Sequence, residues 1–402
     1  MSLKKRFFLF FTTVFLGILL SSCSSTKGIA SNEETAKAQQ DTEPTEKSHT
    51  QAQESSLSLI FAGDIMAHKP NYTAGNFTGI WRDITPLISS CDLAFANVEA
   101  PVANSLPWST YPQFNMHTEY VEAAINAGFN VFSLANNHTN DQSLQGIKET
   151  KKYFDSRPHI WACGVKDTAD GPLTYKIIEK NGWKVLFVAI TEILNSFDAS
   201  SYIDYYPSTE KKRAQLIDEL KTVQEQAHCD LFIVSVHTDE PEYIIKVTEN
   251  HKAFFRKIIA ECKADIIWEN HPHVVKYFET VEPADSQTTA QNGRTAFIMY
   301  ANGNTISAQR TNPQFSAPET QRDYTGDGLI VKLKAIKKSD GSVTLTDYEP
   351  HLITTYITPS SQYVIKFLEE DFISALDRAE VKNWANYLSK RKKLVETILE
   401  RK

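Results

Sequence analysis

Five short apolar runs limit the folds open to this chain, because each ends in side chains that can bind a metal ion. The first run begins at Leu57 and ends in Gly63-Asp64. Taken alone, that ending also fits a buried strand followed by a Gly-Asp turn. Repetition favours a metal site, since the four other runs have the same form. They end in Asn97-Val98-Glu99, in Asn136-Asn137-His138, in His237 and in Asn270-His271-Pro272-His273.

Segments with helical patterns separate these runs, and this alternation is typical of an α/β protein. Sites in open α/β sheets form outside the carboxyl ends of the strands, so we expect the five polar endings to converge. Further strands are predicted at 183–190 and 294–304, and a hairpin is predicted around Ser339-Asp340-Gly341. Helices are predicted at 118–128, 142–154, 208–227 and 249–262.

The charge balance excludes one class of partner. The chain has 42 Lys and Arg residues against 49 Asp and Glu residues, a formal net charge of −7. A protein that binds nucleic acid by neutralising phosphates needs an excess of basic residues, which this chain lacks. We therefore expect no nucleic-acid partner.

The N-terminus has the pattern of an export signal. A basic start precedes residues 7–20, an uncharged apolar segment that is short for a membrane span. The segment closes with Leu20-Ser-Ser-Cys23, which resembles the bacterial lipoprotein box, where the cysteine is lipidated. We therefore predict a lipoprotein signal peptide over 1–23, lipidated at Cys23 and anchored on the exported side of a membrane. An ordinary signal peptide that contains a cysteine is the alternative.

Residues 24–56 are almost entirely polar or small, and Ile29 is their only large aliphatic side chain. Such a segment cannot bury enough apolar surface to fold, so it is predicted to be a disordered tether. The folded domain is predicted to span 57–359.

Residues 360–402 are predicted to be helical, at 362–375 and at 379–400. A basic cluster at 390–393 is interpreted as the solvated face of a packed terminal helix. Contact of this basic helix with a membrane is the alternative. No role in chemistry is assigned to these helices.

Six side chains at the strand endings form a mixed set of oxygen and nitrogen ligands. Carboxylate and amide oxygens suit hard divalent ions, whereas imidazole suits iron, zinc or manganese, so the set fits a pair of metals such as Mn, Fe or Zn. Two ions roughly 3.5–4 Å apart can clamp a phosphoryl group and supply a hydroxide nucleophile. The six residues are Asp64, Glu99, Asn137, His237, His271 and His273.

Two of these positions have further features. Glu99 has a carboxylate that can bridge two ions. His271 and His273 flank Pro272, and residues two apart in an extended segment point to one side, so we expect one histidine to serve each metal. A lone histidine at a strand end, such as His237, is more often a hydrogen-bonded partner of a neighbour than a ligand, and only the ensemble indicates a site.

Together these motifs resemble the CapA family of capsule and poly-γ-glutamate synthesis proteins, which belongs to the calcineurin-like metallophosphoesterase superfamily. The resemblance covers residues 57–335 with all blocks in family order, and Asn136-Asn137-His138 and His271-Pro272-His273 are the most diagnostic blocks. It implies an α/β fold, a calcineurin-like four-layer sandwich of two mixed β-sheets flanked by helices, with a C-terminal helical appendage. The site is expected at one edge of the sandwich.

The resemblance also implies roles for individual residues. His138 follows the amide ligand, as the catalytic general acid does in the superfamily, and the neutral-range pKa of histidine suits that role. The metal ligands divide into two sets that share Glu99: Asp64 and His273 for one ion, and Asn137, His237 and His271 for the other.

Three departures from the family pattern affect the pocket rather than the six ligands. They are Thr238-Asp239 after His237, Glu269-Asn270 before His271, and the block Ala301-Asn302-Gly303-Asn304-Thr305. His68 is extra to the pattern, and the sequence leaves open whether it binds metal. Asn304 is kept as another possible ligand.

The preferred interpretation is an exported, lipid-anchored protein of the bacterial cell envelope that acts in capsule or poly-γ-glutamate synthesis. Its two-metal hydrolase centre would act on a phosphoester or an anionic polymer. Membrane subunits for capsule synthesis or export are the expected protein partners. The alternative is a non-catalytic surface protein that uses the metal fold as a platform for the polymer or for those subunits.

The anchor can be tested at Cys23. If this thiol is lipidated, Cys23→Ser should abolish labelling by a fatty-acid analogue. It should also release the protein from membranes or leave it as an uncleaved precursor. Metabolic labelling and membrane fractionation measure both effects, and undiminished labelling of the variant would contradict the prediction.

Overall fold

The structure, a computed structural model, describes residues 54–282 and 294–400. The predicted signal peptide, Cys23 and all but the end of the predicted tether lie outside these residues and stay predictions. The first strand begins at Ser55, slightly before the predicted start of the folded domain. No helix within the described residues is long and apolar enough to cross a membrane.

Two β-sheets form the centre of the fold, and α-helices cover their outer faces. In chain order the strands are β1 (Ser55–Ile65), β2 (Leu93–Val98), β3 (Val131–Ser133), β4 (Trp161–Cys163), β5 (Lys176–Lys180), β6 (Trp183–Thr191), β7 (Leu231–His237), β8 (Ile266–Asn270), β9 (Phe278–Val281), β10 (Ala296–Met299), β11 (Asn304–Ile306), β12 (Asp327–Lys337), β13 (Val343–Ile357) and β14 (Tyr363–Phe367).

The helices are α1 (Lys69–Thr73), α2 (Phe77–Trp81), α3 (Thr85–Ile88), α4 (Thr118–Asn126), α5 (Ser143–Asp155), α6 (Glu210–Ala227), α7 (Glu249–Cys262), α8 (Gln321–Tyr324), α9 (Glu370–Arg378) and α10 (Lys382–Leu399).

Both sheets contain parallel and antiparallel pairs. The first has the order β14-β13-β12-β1-β2-β3-β4, and β11 pairs with the end of β1. Its strands β1 to β4 are parallel, whereas β12, β13 and β14 are joined antiparallel. The second has the order β5-β6-β7-β8-β10-β9, with a parallel centre and antiparallel edges. Both sheets are therefore mixed, as predicted.

The side chains of β1 point alternately to two faces of the first sheet, and this explains how the sheets pack. Leu57, Leu59 and Phe61 belong to a core that also contains Trp268 of the second sheet. Ile60, which lies between them in the chain, belongs instead to the core under the helices of the first sheet. Successive side chains of a strand point to opposite faces, so this one strand supplies two cores.

The helices complete a sandwich of four layers. Helices α2, α4 and α5 cover the first sheet with Trp81, Tyr120 and Phe154. Helices α6 and α7 cover the second sheet with Leu216 and Phe255. The predicted fold class, with its C-terminal helices, is therefore confirmed.

Most of the predicted elements are also confirmed. Helices α4 to α7 match the four predicted helices, with ends that agree within two residues. The antiparallel pair β12 and β13 forms the predicted hairpin. The predicted strand at 294–304 is interrupted, and it forms β10 and the start of β11.

The predicted helix at 362–375 is wrong in its first half. Tyr363–Phe367 forms β14, which pairs antiparallel with β13, and α9 begins only at Glu370. Aromatic and β-branched residues fill the segment, and buried Tyr363 and Ile365 alternate with less buried neighbours. The first sheet therefore extends beyond the predicted domain boundary at residue 359.

The interpretation of the basic cluster as a solvated face is wrong for Arg391. This side chain is 0% exposed. Its Nε donates a hydrogen bond to Asp327 Oδ2 at 2.7 Å, and its Nη1 donates to the carbonyl of Pro318 at 2.7 Å. Lys390 and Lys393 on the same helix are exposed. The buried ion pair thus holds α10 against the start of β12.

Loss of this ion pair should destabilise the protein. Arg391→Ala removes a buried cation and leaves Asp327 Oδ2 without its partner, so we expect the free energy of unfolding to fall by about 3 kcal/mol. Urea denaturation followed by tryptophan fluorescence measures the change. Lys390→Ala is the matched control and should change stability by less than about 0.5 kcal/mol. Equal effects of the two substitutions would contradict the assignment.

Candidate metal centre

The six predicted ligands lie where the two sheets meet, at or just after the carboxyl ends of strands. In the first sheet, Asp64 is in register with Asn97 of β2 and with Asn304 of β11. In the second sheet, His237 is in register with Asn270, which precedes His271. Contacts between the two groups confirm that the strand endings converge.

Two glycines allow β11 to approach β1 closely. The N–H of Asp64 donates to the carbonyl of Gly303 at 3.0 Å. A Cβ atom on Gly63 would collide with that carbonyl, and Gly303 itself has a φ of +67°. The close approach places Asn304 beside Asp64.

The segment around Pro272 is not extended, which corrects the sequence-based expectation. His271 has a φ of 105° and His273 a φ of 57°, in a region that residues other than glycine rarely adopt. Their rings nevertheless converge, with centroids 5.8 Å apart. Such backbone strain costs about 1–3 kcal/mol per residue, so the surrounding contacts must hold this loop in place.

Glu99 connects the two sheets. Its Oε1 lies 3.5 Å from Nε2 of His273 and 3.9 Å from Nε2 of His237. Nδ1 of His273 lies 3.1 Å from Oδ2 of Asp64. Nε2 of His237 lies 2.9 Å from Oδ1 of Asn137. One continuous series of contacts therefore joins five of the six predicted ligands.

His271 completes the set. Ligand atoms of Glu99, His271 and His273 lie within 4.8 Å of one another, and so do those of Asp64, Glu99 and His237. Glu99 belongs to both groups, as a bridging carboxylate would, but each group combines ligands that were assigned to different ions, so the division of the ligands between two ions stays a prediction. The structure thus brings all the predicted ligands together, and their binding of metal stays a prediction. We call these six residues the cluster.

Burial changes the proton affinities within the cluster. Burial, followed by the charges of Asp64 and Glu242, raises the pKa of Glu99 well above its usual range. Burial, followed by the neighbouring imidazoles, lowers the pKa of His237 and His271 well below theirs. Both histidines are therefore neutral at neutral pH, and neutral imidazole is the form that binds metal ions.

The donor set fits metal ions. Glu99 Oε1 and His271 Nδ1 are buried without a hydrogen-bond partner in the described part of the chain. A buried polar atom without a partner costs about 1–3 kcal/mol. Divalent ions would coordinate such atoms and offset the charge of the buried carboxylates Asp64 and Glu99.

Basic groups behind the cluster are paired with other carboxylates. Arg213 Nη2 lies 2.7 Å from Oε1 of Glu192, and His251 Nε2 lies 2.8 Å from Oε2 of Glu192. Although burial opposes it, hydrogen bonds to carboxylates, first among them Asp239, raise the pKa of His251 to about 11. The N–H of Glu192 donates to the carbonyl of His237 at 2.8 Å. This ion-pair network therefore supports the strand end that carries a predicted ligand.

His138, the predicted general acid, is held by Asp141, which the sequence interpretation missed. Nδ1 of His138 lies 2.7 Å from Oδ2 of Asp141. The ring centroid of Phe114 lies 4.7 Å from that of the imidazole. The backbone N–H of Phe114 donates a hydrogen bond to the same carboxylate of Asp141 at 2.7 Å. Asp141 follows His138 by three positions in the same turn, and this spacing was the sequence signal that the two side chains could meet.

Asn97 is a second residue that the sequence interpretation missed. Its Nδ2 lies 2.8 Å from Oδ1 of Asp64 and 3.4 Å from both Oε2 of Glu99 and Nδ1 of His237. Asn97 therefore contacts three predicted ligands and fixes their orientation. The sequence placed Asn97 at the end of a predicted strand, but an amide side chain at that position does not show which residues it will contact.

The two additional candidates differ in position. Oδ1 of Asn304 lies 3.1 Å from Nδ1 of His273, so Asn304 lies at the cluster. Nδ1 of His68 instead accepts a hydrogen bond from the N–H of Ala308 at 3.3 Å. Burial is the main cause that lowers the pKa of His68 to about 3. His68 belongs to neither of these two groups of candidate ligand atoms and lines the neighbouring pocket.

An open pocket of about 870 Å³ adjoins the cluster. His138 and His273 line it, together with Tyr243, Gln309 and Arg322. The predicted general acid and a predicted ligand therefore face the same space. We call it the cluster pocket.

Residues 58–309 match the profile of a family described as bacterial capsule synthesis protein PGA_cap. The chain is 26% identical over 234 residues to the capsule biosynthesis protein CapA of Bacillus anthracis, and the match covers 56% of each protein. This chain thus spans little more than half the length of that relative. Over 306 residues it is 23% identical to the PGA biosynthesis protein CapA of Bacillus subtilis (strain 168), covering 74% of this chain and 73% of that protein.

Among solved structures, a hypothetical protein from Thermus thermophilus is similar to this one. The TM-score is 0.45 and the sequence identity is 16%. The match covers 74% of this chain and 98% of that chain.

Substitution of the predicted ligands should lower the metal content. We expect Glu99→Gln to reduce the stoichiometry of bound Mn²⁺, Zn²⁺ or Fe²⁺ more than Asp64→Asn or His271→Ala, because Glu99 belongs to both groups. Ions that bind the native state stabilise it by mass action, so a chelator should lower the melting temperature of the parent more than that of the variants. Elemental analysis and thermal melts check both effects.

The exposed His159 provides the control for this experiment, and His159→Ala should keep the metal content of the parent. A parent protein that purifies without metal and does not respond to added Mn²⁺, Zn²⁺ or Fe²⁺ would contradict the predicted site.

Proposed function

Because the chain belongs to the bacterial capsule synthesis protein family PGA_cap, we propose that it acts in capsule or poly-γ-glutamate synthesis through a metal-dependent hydrolase centre of the phosphoesterase type. The observation that carries this proposal is the buried cluster of carboxylates and imidazoles beside an open pocket lined by His138. Its substrate would be a phosphoester or an anionic polymer.

The proposed setting is the bacterial cell envelope. Lipidation at Cys23 would anchor the protein to a membrane on the exported side, and residues 24–56 would hold the folded domain away from the membrane surface. Membrane subunits for capsule synthesis or export are the proposed protein partners. This setting rests on the sequence of the N-terminus and on the family.

The proposed cofactor is a pair of divalent ions, Mn, Fe or Zn, held by the cluster. When bound, such ions offset the charge of a phosphoryl group and make water a better nucleophile at neutral pH. The chain supplies neutral imidazoles from His237 and His271, and Glu99 lies in both groups of ligand atoms. Asn97 holds Asp64 in place through a hydrogen bond of 2.8 Å.

His138 is proposed to protonate the leaving group. Asp141 lies 2.7 Å from Nδ1, so it fixes the orientation and the tautomer of the ring. The proton available for transfer is then the one on Nε2, and His138 lines the cluster pocket. The side chain of Asn195 lies 3.4 Å from Nε2 and limits rotation of the ring.

Substitution of His138 separates catalysis from binding. His138→Gln removes the proton donor, so we expect turnover of an alkyl phosphate to fall by about 10²–10⁴-fold while the metal content stays the same. The loss should be smaller for para-nitrophenyl phosphate, whose leaving group is acidic and needs no proton. Steady-state kinetics and elemental analysis of the same preparations measure both quantities.

The exposed His159→Gln variant should retain parental turnover. Full activity of His138→Gln on the alkyl ester would remove this histidine from the mechanism, and a loss of metal would make it a ligand. If the parent hydrolyses no ester and ligand variants still abolish capsule formation in cells, the protein is a platform for polymer or partners rather than a hydrolase.

A further inference from the structure

We propose that Arg322, seated on the ring of Tyr243, binds a second anionic group of the substrate, on the part that the cluster does not hold. The inference rests on the proposed function, and it specifies the substrate class: an ester whose leaving portion has a negative charge of its own. We call Tyr243 and Arg322 the arginine shelf.

Tyr243 is fixed to the loop that carries the histidine ligands. Its N–H donates to the carbonyl of Pro272 at 2.9 Å. Its ring lies 6.2 Å from that of His273, with an angle of 31° between the planes. Tyr243 has a φ of +65°, a strained conformation for a residue with a large side chain. The ring therefore has a set position relative to His273.

Arg322 lies over this ring. Its Cζ is 4.7 Å from the ring centroid of Tyr243, within the range of a cation–π contact. Its Nη1 donates to the hydroxyl of Tyr243 at 3.2 Å. These contacts use the face of the guanidinium and one N–H group. Since a guanidinium has five N–H donors, most of them are without a partner in the described part of the chain and could bind a ligand.

Arg322 differs from the buried arginines of the protein in its charge partners. Arg213 pairs with Glu192, and Arg391 pairs with Asp327. Arg322 is exposed and forms no ion pair with any carboxylate in residues 54–282 and 294–400. A guanidinium is well suited to carboxylate and phosphate oxygens, which it can bind through two parallel hydrogen bonds.

The backbone under Arg322 is also fixed. Arg322 belongs to α8, and the next residue, Asp323, accepts a hydrogen bond from the hydroxyl of Tyr387 in α10 at 2.6 Å. Asp323 also accepts from the N–H of Gln314 at 3.0 Å and from the hydroxyl of Thr320. The charge is therefore held at the wall of the pocket by the C-terminal helix.

The surroundings suit an anion with hydrogen-bonding capacity. Arg322, His138 and His273 line the same pocket of about 870 Å³, which has room for more than a phosphoryl group. Further polar side chains of this wall are Gln309, Asn312, Gln314 and Thr320. Glu242 also lines the pocket, where it is exposed and makes no ion pair with Arg322 among the described residues. Its carboxylate lies beside Tyr243, since burial, followed by a hydrogen bond with Glu242, raises the pKa of the tyrosine hydroxyl.

Two stable phosphonates test the inference without turnover. Benzylphosphonate and para-(carboxymethyl)benzylphosphonate differ by one carboxylate and its methylene group. Calorimetry on the Mn²⁺-loaded protein should show that the carboxylate improves the affinity about five- to tenfold, as expected for a charge-assisted contact at a partly exposed site. The preference should shrink as the salt concentration rises, because salt screens exposed charges.

Substitutions at the shelf identify the group responsible. In Arg322→Gln the preference should fall to about one, and in Arg322→Lys it should be intermediate, since lysine keeps the charge but not the planar fork. The exposed Arg378→Gln is the matched control and should keep the full preference. A preference that survives in Arg322→Gln, or that is absent in the parent, overturns the inference.

Matched esters separate this inference from the proposed function. Para-methylphenyl phosphate and para-(carboxymethyl)phenyl phosphate have similar leaving groups, because the methylene insulates the phenol oxygen from the carboxylate. A preference for the carboxylated ester in kcat/KM, lost in Arg322→Gln, supports both proposals. Binding preference without hydrolysis of either ester contradicts the hydrolase and supports the shelf, whereas hydrolysis with equal kcat/KM and equal binding contradicts the shelf alone.

Discussion

The carboxylate of Glu99 lies 3.5 Å from His273 and 3.9 Å from His237, and through these two contacts it joins the sheets. Glu99 follows a strand of the first sheet, whereas both histidines lie at or after the ends of strands of the second. One of its oxygens is buried without a hydrogen-bond partner among the described residues. A cation between the sheets would satisfy that oxygen, and its binding would then couple the packing of the sandwich to the occupancy of the site.

The supporting layers of the site keep positive charge away from Glu99. Arg213 and His251 are committed to Glu192, behind the strand end at His237. Arg322 lies over the ring of Tyr243 and lines the cluster pocket. The cluster therefore has carboxylates and neutral imidazoles but, among the described residues, no protein cation paired with them, and in this it differs from a buried salt bridge.

Much of this could be predicted from the sequence, because strand endings are local patterns. The positions of Asp64 and Glu99 follow from the apolar runs that precede them. The partners of Arg391 could not be predicted, since its carboxylate partner Asp327 lies 64 positions earlier and no periodicity links them. The positive φ of His271 could not be predicted either, because a residue other than glycine adopts this conformation only when tertiary contacts hold it.

The C-terminal helix α10 holds the pocket wall in place, and this limits which segments of the protein can be exchanged with those of its relatives. The family match ends at residue 309, so the ligands lie inside it and the wall with Arg322 lies outside. Transfer of residues 310–324 alone would separate Asp323 from Tyr387, and Pro318 from Arg391. A chimera that exchanges this wall but keeps the ligands must therefore exchange the terminal helix with it, as one module.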